Sequence, residues 1–94
     1  MGSTMVIDNI TTTEAFFLKA NSDTKIRMIG FAPKSGEISE IIFEGYSEFL
    51  MPLTINGFEM VEKPPTNDLR DFVFLSHGTE YWVKALSIEI ILEP

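Results

Sequence analysis

The stretch GEISEIIFEGYSEFL, Gly36 to Leu50, constrains the fold more than any other part of the chain. It carries four glutamates, no basic residue and a nearly unbroken set of apolar residues. In an extended strand, residues of equal parity share a face. Ile38, Glu40, Ile42, Glu44, Tyr46, Glu48 and Leu50 would then lie together, apolar and charged by turns, a poor surface to pack on. In a helix each residue advances about 100°. Glu37, Glu40, Glu44 and Glu48 then gather in one arc of roughly 80°. Ile38, Ile42, Phe43, Tyr46, Phe49 and Leu50 fall in the opposite arc, and only Ile41 strays. Ser35 is placed as an N-cap, Glu37 suits the positive end of the dipole, and Pro52 ends the run. Gly45 and the β-branched isoleucines oppose the helix, Gly45 by about 1 kcal/mol. The periodicity outweighs them. It predicts an amphipathic helix over 36–50 with its carboxylates in a stripe on the solvent side.

Elsewhere the signals are mostly those of strands. Met5 to Asp8 reads as a short strand. In TTTEAFFLKAN, Thr11 and Glu14 have capping-box spacing, and Ile10 and Ala15 are placed for a staple. That predicts a short helix from about Thr12 to Ala20, stopped at Asn21. The alternative is a strand pairing across NSDT with KIRMIGFA, where Lys25 and Arg27 alternate with Ile26 and Met28. Asn56-Gly57 between apolar runs is a strong hairpin signal. KPPTND reads as a loop. DFVFL is apolar on both faces, as an inner strand is. SHGT is a turn, and Tyr81 to Leu92 returns as one long strand or two. The expected class is α+β: a small antiparallel sheet of about five strands, the helix at 36–50, and the second, N-terminal helix left open. Strands clustered after the helix argue against a parallel βαβ arrangement.

Ninety-four residues make one domain, taken here as 5–94, with MGST ahead of a second methionine read as a cloning scar. A core this small is marginal, and oligomerisation or a partner would help it. No apolar run approaches the ~18 residues of a membrane span, and no leader pattern is present, which favours the cytoplasm. The sequon NIT at Asn9 carries little weight without secretion. There is no cysteine, so disulfides and thiolate zinc sites are excluded.

Charge is the most informative functional feature. Residues 1–34 carry three acids and four bases, residues 35–62 six acids and no base, and residues 63–94 five acids and three bases. The middle third therefore holds nearly all of the net −7. A nucleic-acid binder needs a basic footprint, so direct nucleic-acid binding is excluded, whereas a partner that itself binds nucleic acid is not.

Catalytic patterns are missing. His77 is the sole histidine and sits in a turn, so any His-dependent base, nucleophile or metal site must use it. Ser76 beside it points to the other face. No nucleophile elbow, phosphate loop or dinucleotide fingerprint occurs, and no cofactor is expected. Trp82 shares parity with Leu86 and Ile88, which favours its burial. Tyr81 then faces outward as an interface candidate. In type, the chain is similar to small acidic immunity proteins and phage-encoded inhibitors of defence nucleases. That similarity rests on no shared motif and implies a non-enzymatic inhibitor. The expected function is an acidic protein-binding module. It would present Glu37, Glu40, Glu44 and Glu48, with Glu59, Glu62 and Tyr81, to a basic or nucleic-acid-binding surface on a partner. The alternatives are a structural or assembly subunit forming a homo-oligomer through edge strands and an apolar patch, and a small enzyme or ligand-binding domain with a pocket between helix and sheet.

Overall fold

The structure is a computed structural model and describes residues 9–20 and 24–94. The strand expected at Met5 to Asp8 and the helix stop expected at Asn21 lie outside them. Eight strands form one antiparallel sheet: β1 (Ile10–Ala20), β2 (Lys25–Gly30), β3 (Ile38–Glu44), β4 (Glu48–Leu50), β5 (Thr54–Thr66), β6 (Leu69–Ser76), β7 (Thr79–Ala85) and β8 (Ser87–Leu92). No helix occurs among the described residues, so the α+β expectation is wrong and the fold is all-β.

Hydrogen-bonded neighbours run β4-β7-β6-β5-β1-β2-β3-β8. The two ends of that order are covalently continuous, because β3 leads into β4 and β7 into β8. β3 pairs with β8, and β4 with β7. Between these ladders the Leu86 N–H donates to the Glu44 carbonyl at 3.0 Å, and the Ser47 N–H to that of Lys84 at 2.9 Å. The sheet therefore closes on itself. With β3–β4 and β7–β8 each acting as one bent length, it is a barrel of six chain lengths. Closure pairs six of the strands on both sides and leaves β4 and β8 with one ladder partner each, so little edge remains for pairing with other chains.

The core fills the barrel. Phe16, Ile26, Met28, Ile41, Phe43, Ile55, Phe58, Met60, Phe72, Phe74, Val83 and Ala85 are buried. Phe43 meets Phe72 and Phe74, and Phe58 meets Phe16 and Phe74, with ring centroids 5.1–6.0 Å apart and tilted or edge-on. Burying each of these phenylalanines is worth about 1.5–3 kcal/mol. DFVFL in β6 is an inner strand between β5 and β7, as expected.

The segment 36–50 is strand, not helix, for an identifiable reason. Ile41 and Phe43 point inward, while Glu40, Ile42 and Glu44 face out. That mixed face is the barrel's outer wall, which need not pack on anything, and Glu40 and Glu44 there meet Arg27 and Lys25 of β2. The phase also slips. The β3–β8 register shifts between Ile38 and Glu40, and the chain turns a corner at Gly45. Ile38 and Tyr46 consequently pack on the core beside Ile41 and Phe43. Inward positions 38, 41, 43 and 46 imitate a helical spacing although the local period is two. Gly45 has φ +69°, and a Cβ there would lie 2.8 Å from Leu86 Cδ1. The supposed N-cap is a reverse turn, in which the Glu37 N–H donates to the Lys34 carbonyl at 2.9 Å. The Lys34 N–H in turn donates to Glu37 Oε1 at 2.8 Å.

Two further signals resolve as one feature. β1 is a strand from Ile10 to Ala20 and pairs with β2, so the N-terminal helix is absent and the hairpin alternative holds. Asn56-Gly57 is no hairpin turn but lies inside β5. There Thr13 and Glu14 of β1 oppose the single residue Gly57, a β-bulge. The capping box expected between Thr11 and Glu14 is not formed; the Glu14 N–H donates instead to Thr12 Oγ1 at 3.0 Å, within this bulge. Gly57 has φ +78°, and a Cβ would sit 3.2 Å from the Thr12 carbonyl oxygen. KPPTND is mostly strand, with its turn confined to Asn67 and Asp68, both at positive φ. His77-Gly78 is the expected turn, also with both φ positive, as two-residue hairpins favour. Tyr81 to Leu92 divides in two at Leu86.

Candidate functional site

The barrel scatters the acidic residues that a helix would have aligned. Glu40 and Glu44 stay on the outer wall of β3, and Glu37 precedes them. Glu48 lies in β4 and Glu59 in β5, both exposed, on the half of the barrel formed by β4, β7, β6 and β5. Glu62 is turned inward, opposite buried Phe72, and only 3% of its side chain is exposed. Arg70 donates to it twice, Nε to Oε2 at 2.8 Å and Nη2 to Oε1 at 2.9 Å, and its guanidinium stands 5.3 Å from the Phe72 ring centroid. Bonding to Glu62 holds the Arg70 guanidinium above its usual pKa despite partial desolvation. This pair closes the core and leaves little of Glu62 at the surface.

Tyr81 is also turned inward and packs on the core, because Val83 and Ala85 share its parity and are buried. Trp82 takes the outer face with Lys84, the reverse of the expected assignment. The parity argument failed at Leu86, where the strand breaks and residues before and after fall out of phase.

β3 brings its carboxylates beside two others that sequence reasoning passed over. Glu89 of β8 stands opposite Ile42 and is exposed. Glu93 is joined to Glu37 by backbone bonds: the Glu93 N–H donates to the Glu37 carbonyl at 2.8 Å, and the Gly36 N–H to that of Glu93 at 2.8 Å. Glu37, Glu40, Glu44, Glu89 and Glu93 therefore share one wall, to which β3 and β8 contribute no base. The bases at its border belong to β2. Arg27 Nε donates to Glu40, which holds the guanidinium above its usual pKa against slight desolvation. Lys25 stands 3.8 Å from Glu44, with both side chains well exposed. The pairing of β3 with β8 is long-range, so nothing in the local pattern joined residues 37–44 to 89–93.

His77 and Ser76 work on the bulge. Ser76 is buried and its Oγ donates to the Gly57 carbonyl at 2.5 Å. Exposed His77 donates through Nε2 to the Asn56 carbonyl at 2.8 Å. They hold different carbonyls and do not bond each other, so they do not form a nucleophile–base pair. Among the described residues no group of three or more His, Cys, Asp or Glu is placed to hold a metal ion. An open groove of about 390 Å³ lies between Thr11–Glu14 and Gly36–Ile38. Among the described residues no helix is long and apolar enough to cross a membrane. No known protein family, no characterised protein and no solved structure matches the chain.

Proposed function

We propose that the chain is a non-enzymatic, cytoplasmic protein-binding module. It docks a basic surface of a partner protein against the β3–β8 wall, and a nucleic-acid-binding surface blocked by charge mimicry is the sharpest form of this reading. The observation that carries it is the unbalanced charge of that wall. Two adjacent strands and their extensions supply Glu37, Glu44, Glu89 and Glu93 without a base of their own, in a chain of 14 acids and seven bases. Glu40 and Glu44 flank Ile42 on β3, and Glu89 stands opposite Ile42 on β8, so neighbouring carboxylates are staggered across the two strands by roughly 8 Å, close enough to compete with strand phosphates for lysines and arginines. Ile42 and Ile91 lie between them on the same face and supply apolar contact. Long-range attraction to such a wall raises the rate of encounter more than the final affinity.

The test compares two baits, the wild-type chain and the quadruple variant E37K/E44K/E89K/E93K, in a native-host lysate at about 50 and 200 mM salt, where the Debye length falls from about 14 to 7 Å. Proteins retained by wild type at low salt and lost both at high salt and on the variant support the reading. An identical retained set on both baits, with the variant folded by circular dichroism, overturns it.

A further inference from the structure

The opposite half of the barrel carries a pattern that the acidic-partner reading does not use. Three rows of outward side chains cross β5, β6 and β7, and the first two continue onto β4. The first is Lys63–Asp71–Lys84–Glu48. The second is Val61–Val73–Trp82–Leu50, in which Leu50 is 48% exposed. The third is Glu59–Leu75–Glu80, with Leu75 47% exposed. A groove of about 280 Å³ runs along the first two rows around Trp82.

We propose that this face is the interface of a twofold-symmetric dimer of the chain. The occupant follows from charge and symmetry. A twofold axis lying in the interface along the β6–β7 seam sets each row against its own reverse. In the first row Lys63 then faces Glu48 of the second copy, and Asp71 faces Lys84 of the second copy. Signs along this row alternate, so all four positions meet an opposite charge. In the second row Val61 faces Leu50 and Val73 faces Trp82, apolar against apolar throughout. The third row sets Leu75 against Glu80 and falls at the rim. An axis along the strands also keeps the strands of the two copies aligned, which is the common packing of sheet on sheet.

The monomer leaves these groups waiting. Among the described residues none of Lys63, Asp71, Lys84 and Glu48 is held in an ion pair. A half-buried Trp at the centre of a row, ringed by charge, is the composition of an interface core and rim. The patch is small, four strands or about 14 Å wide and three rows or about 14 Å long. The dimer is therefore weak, forming in the micromolar range. It goes beyond the proposed function and does not rest on it, since the β3–β8 wall stays outside the interface.

Sedimentation velocity on the full chain tests it. Wild type is expected to pass from monomer to dimer between about 1 µM and 1 mM, the range of weak interfaces. D71K and K84E, each alone, place like charges across the axis and are expected to stay monomeric over that range. Mixed one to one, they are expected to form a heterodimer, because each introduced charge then meets its opposite on the other chain. Within each chain positions 71 and 84 remain like-charged, so regained intrachain pairing cannot explain recovery on mixing. Melting curves by circular dichroism show whether the single variants are folded, and W82A supplies a second, uncharged disruption. A wild type monomeric at about 1 mM, single variants that dimerise as wild type does, or folded variants that do not associate on mixing would each overturn the proposal.

Discussion

Glu62 and Arg70 show how one ion pair can serve a barrel end rather than a partner. Both side chains sit on the inner face, where apolar residues would be usual, and their two hydrogen bonds and the Phe72 ring satisfy the guanidinium. Removing one member leaves the other uncompensated in low dielectric, so E62A should destabilise the fold by about 3–5 kcal/mol. Urea titration measures this, and a loss within experimental error would show the pair to be solvated. The raised pKa values of Arg70 and Arg27 work in one direction only. A base whose folded pKa is raised contributes fully below its unfolded value and loses that contribution as pH rises through the folded one. These two arginines therefore impose no pH dependence on stability across the neutral range. Gly45 is a second position where substitution is strained. Its positive φ and the proximity of Leu86 should make G45A cost about 1–3 kcal/mol, read as a lowered urea midpoint.

At the scale of elements, the strands that were legible were those with an unbroken period. β2, the inner strand β6 and the His77-Gly78 turn could be read directly, because alternation and turn chemistry agreed there. Bulges defeated the rest. A bulge inserts a residue, resets parity, and turns a period of two into spacings of three and two that a helix also satisfies. In 36–50 the isoleucines and Gly45 opposed a helix, and those local preferences proved better guides than the moment of the whole stretch. At β1 the capping-box spacing names Thr11 as the acceptor, but the Glu14 N–H goes to the Thr12 hydroxyl, and the bond serves a bulge instead of a helix start. T12V removes that acceptor and should cost about 1 kcal/mol. It should also raise hydrogen exchange at Glu14, whereas unchanged exchange would mean the amide is satisfied otherwise. Far-UV circular dichroism should show a β-rich spectrum, and amides of 40–43 should be among the slowest to exchange, since they lie in ladders on both sides.

At the scale of the whole molecule, closure is what no local pattern announces. It comes from 38–50 finding 82–92, contacts some forty residues apart, and it separates the surface into two unlike halves. One half gathers acids from the middle and the C-terminal end of the chain, the other alternates charge beside an apolar row. The expected acidic group survives only in part. Glu37, Glu40 and Glu44 keep company, Glu48 and Glu59 move to the other half, and Glu62 and Tyr81 turn inward. Near-closure also confines the unpaired strand edges to β4 and β8, so the faces are the larger surfaces for assembly.

The most direct measurement of the central claim is the association rate of a captured partner by stopped-flow, over a range of salt, for wild type and for E44K/E89K. If the β3–β8 wall steers a basic surface, the wild-type on-rate falls steeply between about 50 and 200 mM salt, while dissociation changes little. The double reversal lowers the rate at low salt and flattens its salt dependence. An on-rate indifferent to salt and to the reversal, with the fold intact, would contradict the claim and assign the acidic wall to solubility alone.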